Sequence, residues 1–519
     1  MFLGYRLGWY VAVVKLVPSI RLQACNSAPL RPEGEFVLYW MIAFRRLSWN
    51  FALDRAVGWA KDLRKPLLIL EPLRVDYPWA SDRIHRFVID GMAENASRME
   101  TLRLSGTRGV TYFPYVEPSR GAAKGLLERL AQRACVIVTD DCPAFFLPRM
   151  VAASAGRLPV FMEQVDANGL LPLRAAERAF PTAFSFRAFL RRTLPKHLAH
   201  FPTEDPLAGL QLPGLGPLPA DLTLRWAPAS AGLLTPGSTA ELEHLPIDHH
   251  VGPVRDRGGS EEARSRLAAF IDRYLSDYHR TARHPDADSR SRLSPYLHFG
   301  HVSVHEIIAQ LFSREPDRLK ALVQGEHGET YSDHRNPEVW WGLGPGPEAW
   351  LDQLVTWREL GYNMAFYRPD YDRYESLPGW ARATLEKHAT DKRTFLYELE
   401  QFESASTHDE VWNAAQRQLL REGRIHNSLR MLWGKKILEW TASPREALAV
   451  MIELNNRFAV DGRDPNSYSG IFWCLGRYDR PWGPERPIFG TVRYMSSESA
   501  RRKLRMKSYL ERFRALDAN

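Results

Sequence analysis

Short apolar runs alternate with helix-length segments through the first 165 residues, and this alternation leaves few folds open. FVLYWMI (36–42), PLLIL (66–70), GVTYFPY (109–115), CVIVT (135–139) and PVFMEQV (159–165) read as strands. Their nearly continuous apolar character suits a sheet covered on both faces. FALDRAVGWAKDLR, SDRIHRFVIDGMAENASRME and AAKGLLERLAQRA lie between them with the length of helices. Strand, helix, strand repeated in this way predicts a doubly wound parallel sheet over 36–167. A dinucleotide-binding version is excluded, because the first strand runs into AFRRLSWN with no glycine turn to admit a pyrophosphate. Gly342, Gly344 and Gly346 surround Pro345 and follow no strand, so they form a loop.

At 519 residues the chain exceeds one compact core. Periodicity fades from 168 to 258, where prolines at 202, 206, 213, 217, 219, 228, 236, 246 and 253 mark an interdomain linker. From 259 to 519 the pattern is helical, beginning with the stripe Ala263, Leu267, Phe270, Ile271 and Tyr274. Residues 1–35 read as a loose extension: Arg6 and Lys15 interrupt the apolar start, which resembles no export signal. No run reaches the ~18–20 apolar residues of a membrane span. Cys25, Cys135, Cys142 and Cys474 are scattered, with no C-x-x-C pair. That argues against a zinc site or disulfide framework and fits a cytoplasmic protein. A formal charge of +8 favours an anionic partner, nucleic acid being the commonest.

Ten of the 16 tryptophans fall between 340 and 482. Core packing accounts for any one of them. Trp433 and Trp440, however, stand seven apart on one predicted helix, sharing a face roughly 10 Å apart along its axis. Trp412, at the start of the preceding helix, continues the row. Indoles so spaced carry single electrons between solvent and a buried redox group, and helical packing gives the same spacing. DSRSRLSPYLHFG (288–300) gathers Arg290, Ser291, Arg292 and Ser294 before a predicted helix. This is either a phosphate-binding surface or an ordinary capped helix start. RIHNSLRMLWGKKILEW (424–440) sets His426, Asn427, Arg430 and Met431 in an otherwise apolar helix, with Asp461 as an ion-pair partner for Arg430. Such a pair is costly to bury unless its other hydrogen bonds are met, so it marks a site. Lys435 and Lys436 read as a solvated or phosphate-facing edge.

WLDQLVTWREL (350–360), THDEVWNAAQRQLL (407–420), RMLWGKKILEW (430–440), DGRDPNSY (461–468) and ERPIFGTVRYM (485–495) closely resemble the class II DNA photolyases. SRLSPYLHFGHVS and the FVLYWM…NFAL stretch resemble the wider photolyase/cryptochrome family. The resemblance runs from about residue 36 to near the C-terminus and is poorest in the linker. It implies an α/β antenna domain, a helical domain holding FAD, and a monomer acting on DNA that contains UV photoproducts, with no metal. By position, Tyr278, Ser291, Leu293, Ser294 and Arg358 resemble flavin-nucleotide contacts. Arg430 and Asp461 resemble the ion pair beside the flavin ring, and Asn455 the class II asparagine near flavin N5. Trp433, Trp440 and Trp412 fall on the class II electron-transfer tryptophans. Trp357 and Trp473 match aromatics that clamp a flipped-out pyrimidine dimer, and Met431 a methionine packed beneath it.

Two positions depart from the pattern. Gln353 stands where dimer-repairing members carry a glutamate, and glutamine there is familiar from (6-4) photolyases and some cryptochromes. Arg292 replaces the usual class II asparagine in a class I-like manner. The paired histidines of (6-4) enzymes are Asn427 and Met431 here, and His426, one place off, reads as structural. The implied activity is light-driven splitting of cyclobutane dimers by electron transfer from reduced FAD. The alternatives are a cryptochrome-like photoreceptor and repair of another photoproduct. A deazaflavin antenna is the class II expectation, but no residue in 36–165 identifies its pocket, and Arg45, Arg46 and Trp49 read as domain surface.

Overall fold

The computed structural model describes residues 17–313, 315–324 and 340–515. Strands β1 (Leu22–Ala24), β2 (Phe36–Trp40), β3 (Leu67–Leu73), β4 (Val110–Val116), β5 (Ala134–Asp140) and β6 (Met162–Val165) form one sheet in the order β1-β6-β5-β2-β3-β4. Every pairing among β2–β6 is parallel, as the unbroken apolar runs require, because helices cover both faces. Helix α1 (Phe51–Leu63) packs on one face and helices α3 (Leu126–Ala131) and α4 (Leu147–Ala155) on the other. Helix α2 (Asp82–Leu104) lies between β3 and β4 in the chain. Strand order reverses between β2 and β5, and Asp140 closes that switch point. Its carboxylate accepts from the backbone N–H groups of Ile42, Ala43 and Phe44 at 2.7–2.9 Å and from the Tyr39 hydroxyl at 2.7 Å.

Two boundaries differ from the sequence reading. The sheet begins before residue 36: β1 pairs antiparallel with β6, and Arg21 is buried, donating to the carbonyls of Asp166, Gly169 and Leu170. A three-residue edge strand has no periodicity to detect, and residues 1–16 lie outside the described residues. The proline-rich stretch is also no free connector. Helix α5 (Ala183–Thr193) contributes Phe186 and Leu190 to the core of the helical half. Leu207, Leu210 and Leu212 pack on one side of the sheet, and Leu222 and Trp226 on the other. Its prolines interrupt the spacing of apolar anchors that nonetheless bury themselves on both domains.

The halves are joined through polar groups. Arg83 of α2 donates to the carbonyls of Leu420 and Phe458, near the C-terminal ends of two helices in the other half. Arg358 donates to Asn168 O at 2.8 Å, and Glu359 accepts from the N–H groups of Leu170 (2.8 Å) and Leu171 (3.0 Å). Gly169 permits that approach, since a Cβ there would meet the Glu359 carboxyl carbon at 2.6 Å. Among the described residues no helix is long and apolar enough to cross a membrane.

Burial pushes the Glu359 carboxyl up to about 7. Its folded-state pKa therefore exceeds the unfolded value, so this group lowers stability as pH rises from roughly 4.5 to 7 and contributes no further slope above that. The slope cannot exceed ~1.4 kcal/mol per pH unit. Glu359→Gln is expected to flatten the fall in urea midpoint between pH 5 and 7 relative to the parent protein, which paired equilibrium denaturation measures.

Candidate active site and its tryptophan row

A cavity of about 510 Å³ opens in the helical half. Tyr278, Ser291, Arg292, Leu293 and Ser294 form one wall, Gln353, Trp357 and Arg358 another, and Arg430, Met431, Asp461 and Trp473 the remainder. Residues separated by nearly 200 positions in sequence thus converge on one space. Ser294 opens a helix of only five residues, Ser294–His298, whose N-cap is Leu293 with no side-chain capping bond. Neither serine caps that helix, so the capped-start reading fails and both residues remain available to the cavity. Arg292, in the left-handed region at φ 55°, pairs with Asp288.

The second wall owes its shape to local backbone. Asp352–Trp357 is a π-helical turn inserted between the helices Pro345–Leu351 and Arg358–Tyr367. Such insertions are rare and concentrate at functional sites. Trp357 stacks on Trp473 with ring centroids 4.5 Å apart and 17° between planes. Met431 lines the same cavity, its sulfur 3.9 Å from Cys474 Sγ. The expected ion pair comes together loosely, with Arg430 Nη2 3.7 Å from Asp461 Oδ1. That oxygen is buried without a hydrogen bond. Asn455 lies one layer behind the lining, where its Nδ2 donates to Ser467 Oγ at 2.9 Å, and Ser467 itself faces the cavity.

The three tryptophans form a connected, buried row, but in a different order from the sequence reading. Trp412 sits in the middle: its ring is parallel to Trp433 (6.5 Å, 4°) and edge-on to Trp440 (6.0 Å, 67°). Trp412 Nε1 donates to Trp433 O at 3.0 Å, and Trp433 Nε1 donates to Gln416 Oε1 at 2.9 Å. Trp440 continues outward to Tyr397 and to the exposed His408.

The chain is 33% identical over 504 residues to the deoxyribodipyrimidine photo-lyase of Methanothermobacter thermautotrophicus, covering 96% of this chain and 99% of that one. It belongs to the photolyase/cryptochrome family. The enzyme of the same name from Oryza sativa is 32% identical over 508 residues, covering 94% and 89% of the two chains. A bacterial class III photolyase from Agrobacterium tumefaciens shares the fold, with a TM-score of 0.61 at 16% identity over 92% of this chain and 86% of that one. No family model matches.

FAD is the cofactor this photolyase family implies, and the cavity suits it. Arg290 Nε and Asp461 Oδ1 are buried without hydrogen bonds, one a donor and one an acceptor. Ser291, Ser294 and Tyr278 add hydroxyls on the Arg290 side, which fits the polar phosphates and sugar of a nucleotide. Arg358 lines the cavity, yet it spends a donor on the Asn168 carbonyl and lies over the Tyr362 ring at 4.4 Å.

Several side chains sit elsewhere than the residue pattern alone suggests. Lys435 is fully buried and donates to Cys474 O at 2.6 Å, the last carbonyl of the helix Pro465–Cys474, while Lys436 pairs with Glu439. The helix Asn427–Trp440 is packed on nearly all sides, so its adjacent lysines are no solvated edge. Burial lowers the Lys435 pKa to about 8. Arg45 and Arg46 are buried too, held by Glu71 and by Gly300 O, and so are not domain surface. His426 caps the helix Asn427–Trp440, accepting from Ser428 N. A second cavity of about 720 Å³ lies between the halves, lined by Trp40, Arg45, Tyr77, Phe146, Phe299 and Tyr362. Sequence reasoning missed it because its walls come from both domains.

Gln416 was missed as well, although it is the buried acceptor for Trp433. Gln416→Leu is expected to destabilise the protein by about 1–3 kcal/mol by orphaning that indole N–H. The same substitution in a Trp433→Phe background, which has no indole N–H to orphan, serves as the control. Urea unfolding followed by tryptophan fluorescence measures both.

Proposed function

We propose that this chain repairs cyclobutane pyrimidine dimers in DNA under light. The carrying observation is the Trp357–Trp473 wall standing on the same cavity as Arg430 and Asp461. A damaged dinucleotide has lost normal stacking, so extruding it from the duplex costs less than extruding an intact pair, a source of selectivity on which photolyases in general rely. The two indoles offer it an apolar face, and Met431 packs below. Basic side chains at the rim, Arg292 and Arg424 among them, hold backbone phosphates and make binding salt-dependent.

FAD, when bound and reduced, supplies the photoexcited electron that splits the dimer. The chain's own residues prepare that step. Tyr278, Ser291, Leu293, Ser294 and Arg358 hold the nucleotide end of the cofactor. Arg430 and Asp461 would hold the flavin end of the cofactor, with Asn455 behind them, fixed by its bond to Ser467. Trp440, Trp412 and Trp433, in that order from the surface, would pass single electrons inward from an external reductant such as a thiol, which refills the outermost indole. Gln353 hydrogen-bonds the dimer but has no acidic proton to offer, so it steadies developing charge less well than glutamate. Gln353 also favours a second reading, a photoreceptor that binds flavin and repairs little. The cavity between the domains is a site for an antenna chromophore of deazaflavin type. The protein acts as a monomer in the cytoplasm.

The deciding experiment illuminates the flavin-loaded protein with an oligonucleotide carrying one cyclobutane thymine dimer. Restored thymine absorbance, absent in darkness, is the expected result; flavin photoreduction without repair would favour the photoreceptor. Trp357→Ala is expected to weaken dimer binding by ~5- to 150-fold, corresponding to the loss of one base–aromatic stack. Gln353→Glu is expected to raise the repair rate by ~10-fold. Trp412→Phe breaks the row at its centre and should slow photoreduction by at least ~10-fold with flavin content unchanged, since indole oxidation is the step removed.

A further inference from the structure

Trp357 is held on two sides. One face rests on Trp473, and its Nε1–H donates to Asp352 Oδ2 at 3.1 Å. The second contact depends on the π turn. Five residues of an α-helix advance roughly 500°, leaving positions i and i+5 about 140° apart around the axis. Bonding from i to i+5 instead brings the two onto one face. Asp352 therefore reaches the indole it precedes by five positions.

The same carboxylate is gripped from the connecting segment. Arg187 of α5 donates Nε to Asp352 Oδ1 and Nη2 to Oδ2, each at 2.9 Å. A bidentate pair fixes the plane of a carboxylate, which a single contact does not. The side chains are 22% and 24% exposed, so the pair adds little stability of its own, and its main effect is orientation. Phe186 and Leu190, flanking Arg187 on α5, are buried in the helical core, which makes the grip rigid. The Trp357 and Trp473 rings are in direct contact, so a base packs against the pair and not between them. The tilt of the Trp357 indole thus sets the tilt of the surface a base meets.

We propose that Arg187 and Asp352 are positioning residues for lesion recognition. Through Asp352, a helix of the connecting segment sets the face that Trp357 presents to a flipped-out pyrimidine dimer. The pair thereby governs how well the site separates damaged from undamaged DNA. This inference rests on the reading of the cavity as a dimer site.

The test is a double-mutant cycle on the full-length, flavin-loaded protein in darkness. Fluorescence anisotropy gives the affinity for a labelled duplex carrying one thymine dimer and for its undamaged counterpart. Arg187→Met is expected to lower the damaged-to-undamaged affinity ratio by ~5-fold, within the range of coupling energies between contacting groups. Arg187→Lys, with one contact in place of two, falls between Arg187→Met and the parent. In a Trp357→Phe background, which keeps a ring but has no N–H, Arg187→Met should change the ratio by less than ~2-fold. An unchanged ratio in Arg187→Met, or an equal loss in the Phe background, overturns the proposal. A merely structural role would weaken both DNAs alike and survive Trp357→Phe. Should Arg187→Met not fold, Asp352→Asn enters the same cycle with the same expectations. A parent protein that binds both duplexes equally overturns the dimer-site reading itself, and the positioning role with it.

Discussion

Two consecutive side chains, Arg358 and Glu359, hold the segment that leaves the sheet, and the geometry of the site depends on that grip. Residues 168–171 emerge from β6 with a carbonyl and two N–H groups turned inward, where water cannot satisfy them. Arg358 takes the carbonyl and Glu359 takes the two donors. Because both belong to the helix that continues from the π turn, the sheet is docked directly onto the wall carrying Gln353 and Trp357. The arrangement buries a carboxylate at a cost, and the neighbouring guanidinium offsets part of that cost. Apolar contact alone would let the halves slide, whereas directional bonds from adjacent residues do not.

The same logic recurs on a smaller scale. Arg83 closes two helix C-termini, Lys435 closes a third, and Asp140 gathers three backbone donors at the reversal of strand order. In each case a charged side chain is used inside the protein as a fixed connector between backbone groups. The cavity walls are therefore set by elements that cannot rotate independently, which suits a site whose task is to hold a cofactor and a damaged base at a constant separation.

Much of this was legible in the residues. Strands β2 to β6 announced themselves as apolar runs because a parallel sheet covered on both faces leaves few polar positions. Trp433 and Trp440 could be placed on one face because their separation is a property of a single helix. The position of Trp412 between them could not, since it depends on how two helices pack. Lys435 misled because a lysine pair looks the same in sequence whether its ammonium meets water or a helix-terminal carbonyl. Proline density concealed the anchors in 168–258, and the cavity between the domains has walls from positions as distant as Trp40 and Arg463. Gln353 and Arg292, the departures from the family pattern, both line the site itself.

The anchoring of α5 also carries a consequence for how the chain comes into being. Phe180, Phe186, Leu190 and Leu194 leave the ribosome well before the helices whose core they join, and so does the exposed Phe184 beside them. The sheet completes its own strands once β6 is made, but this run of aromatic and aliphatic side chains then waits without a partner. Transiently uncovered apolar surface of that kind is where multidomain chains associate wrongly. Until residues 207–226 cover the sheet and the helical half is made, the nascent chain therefore carries this apolar run with nothing to pack against.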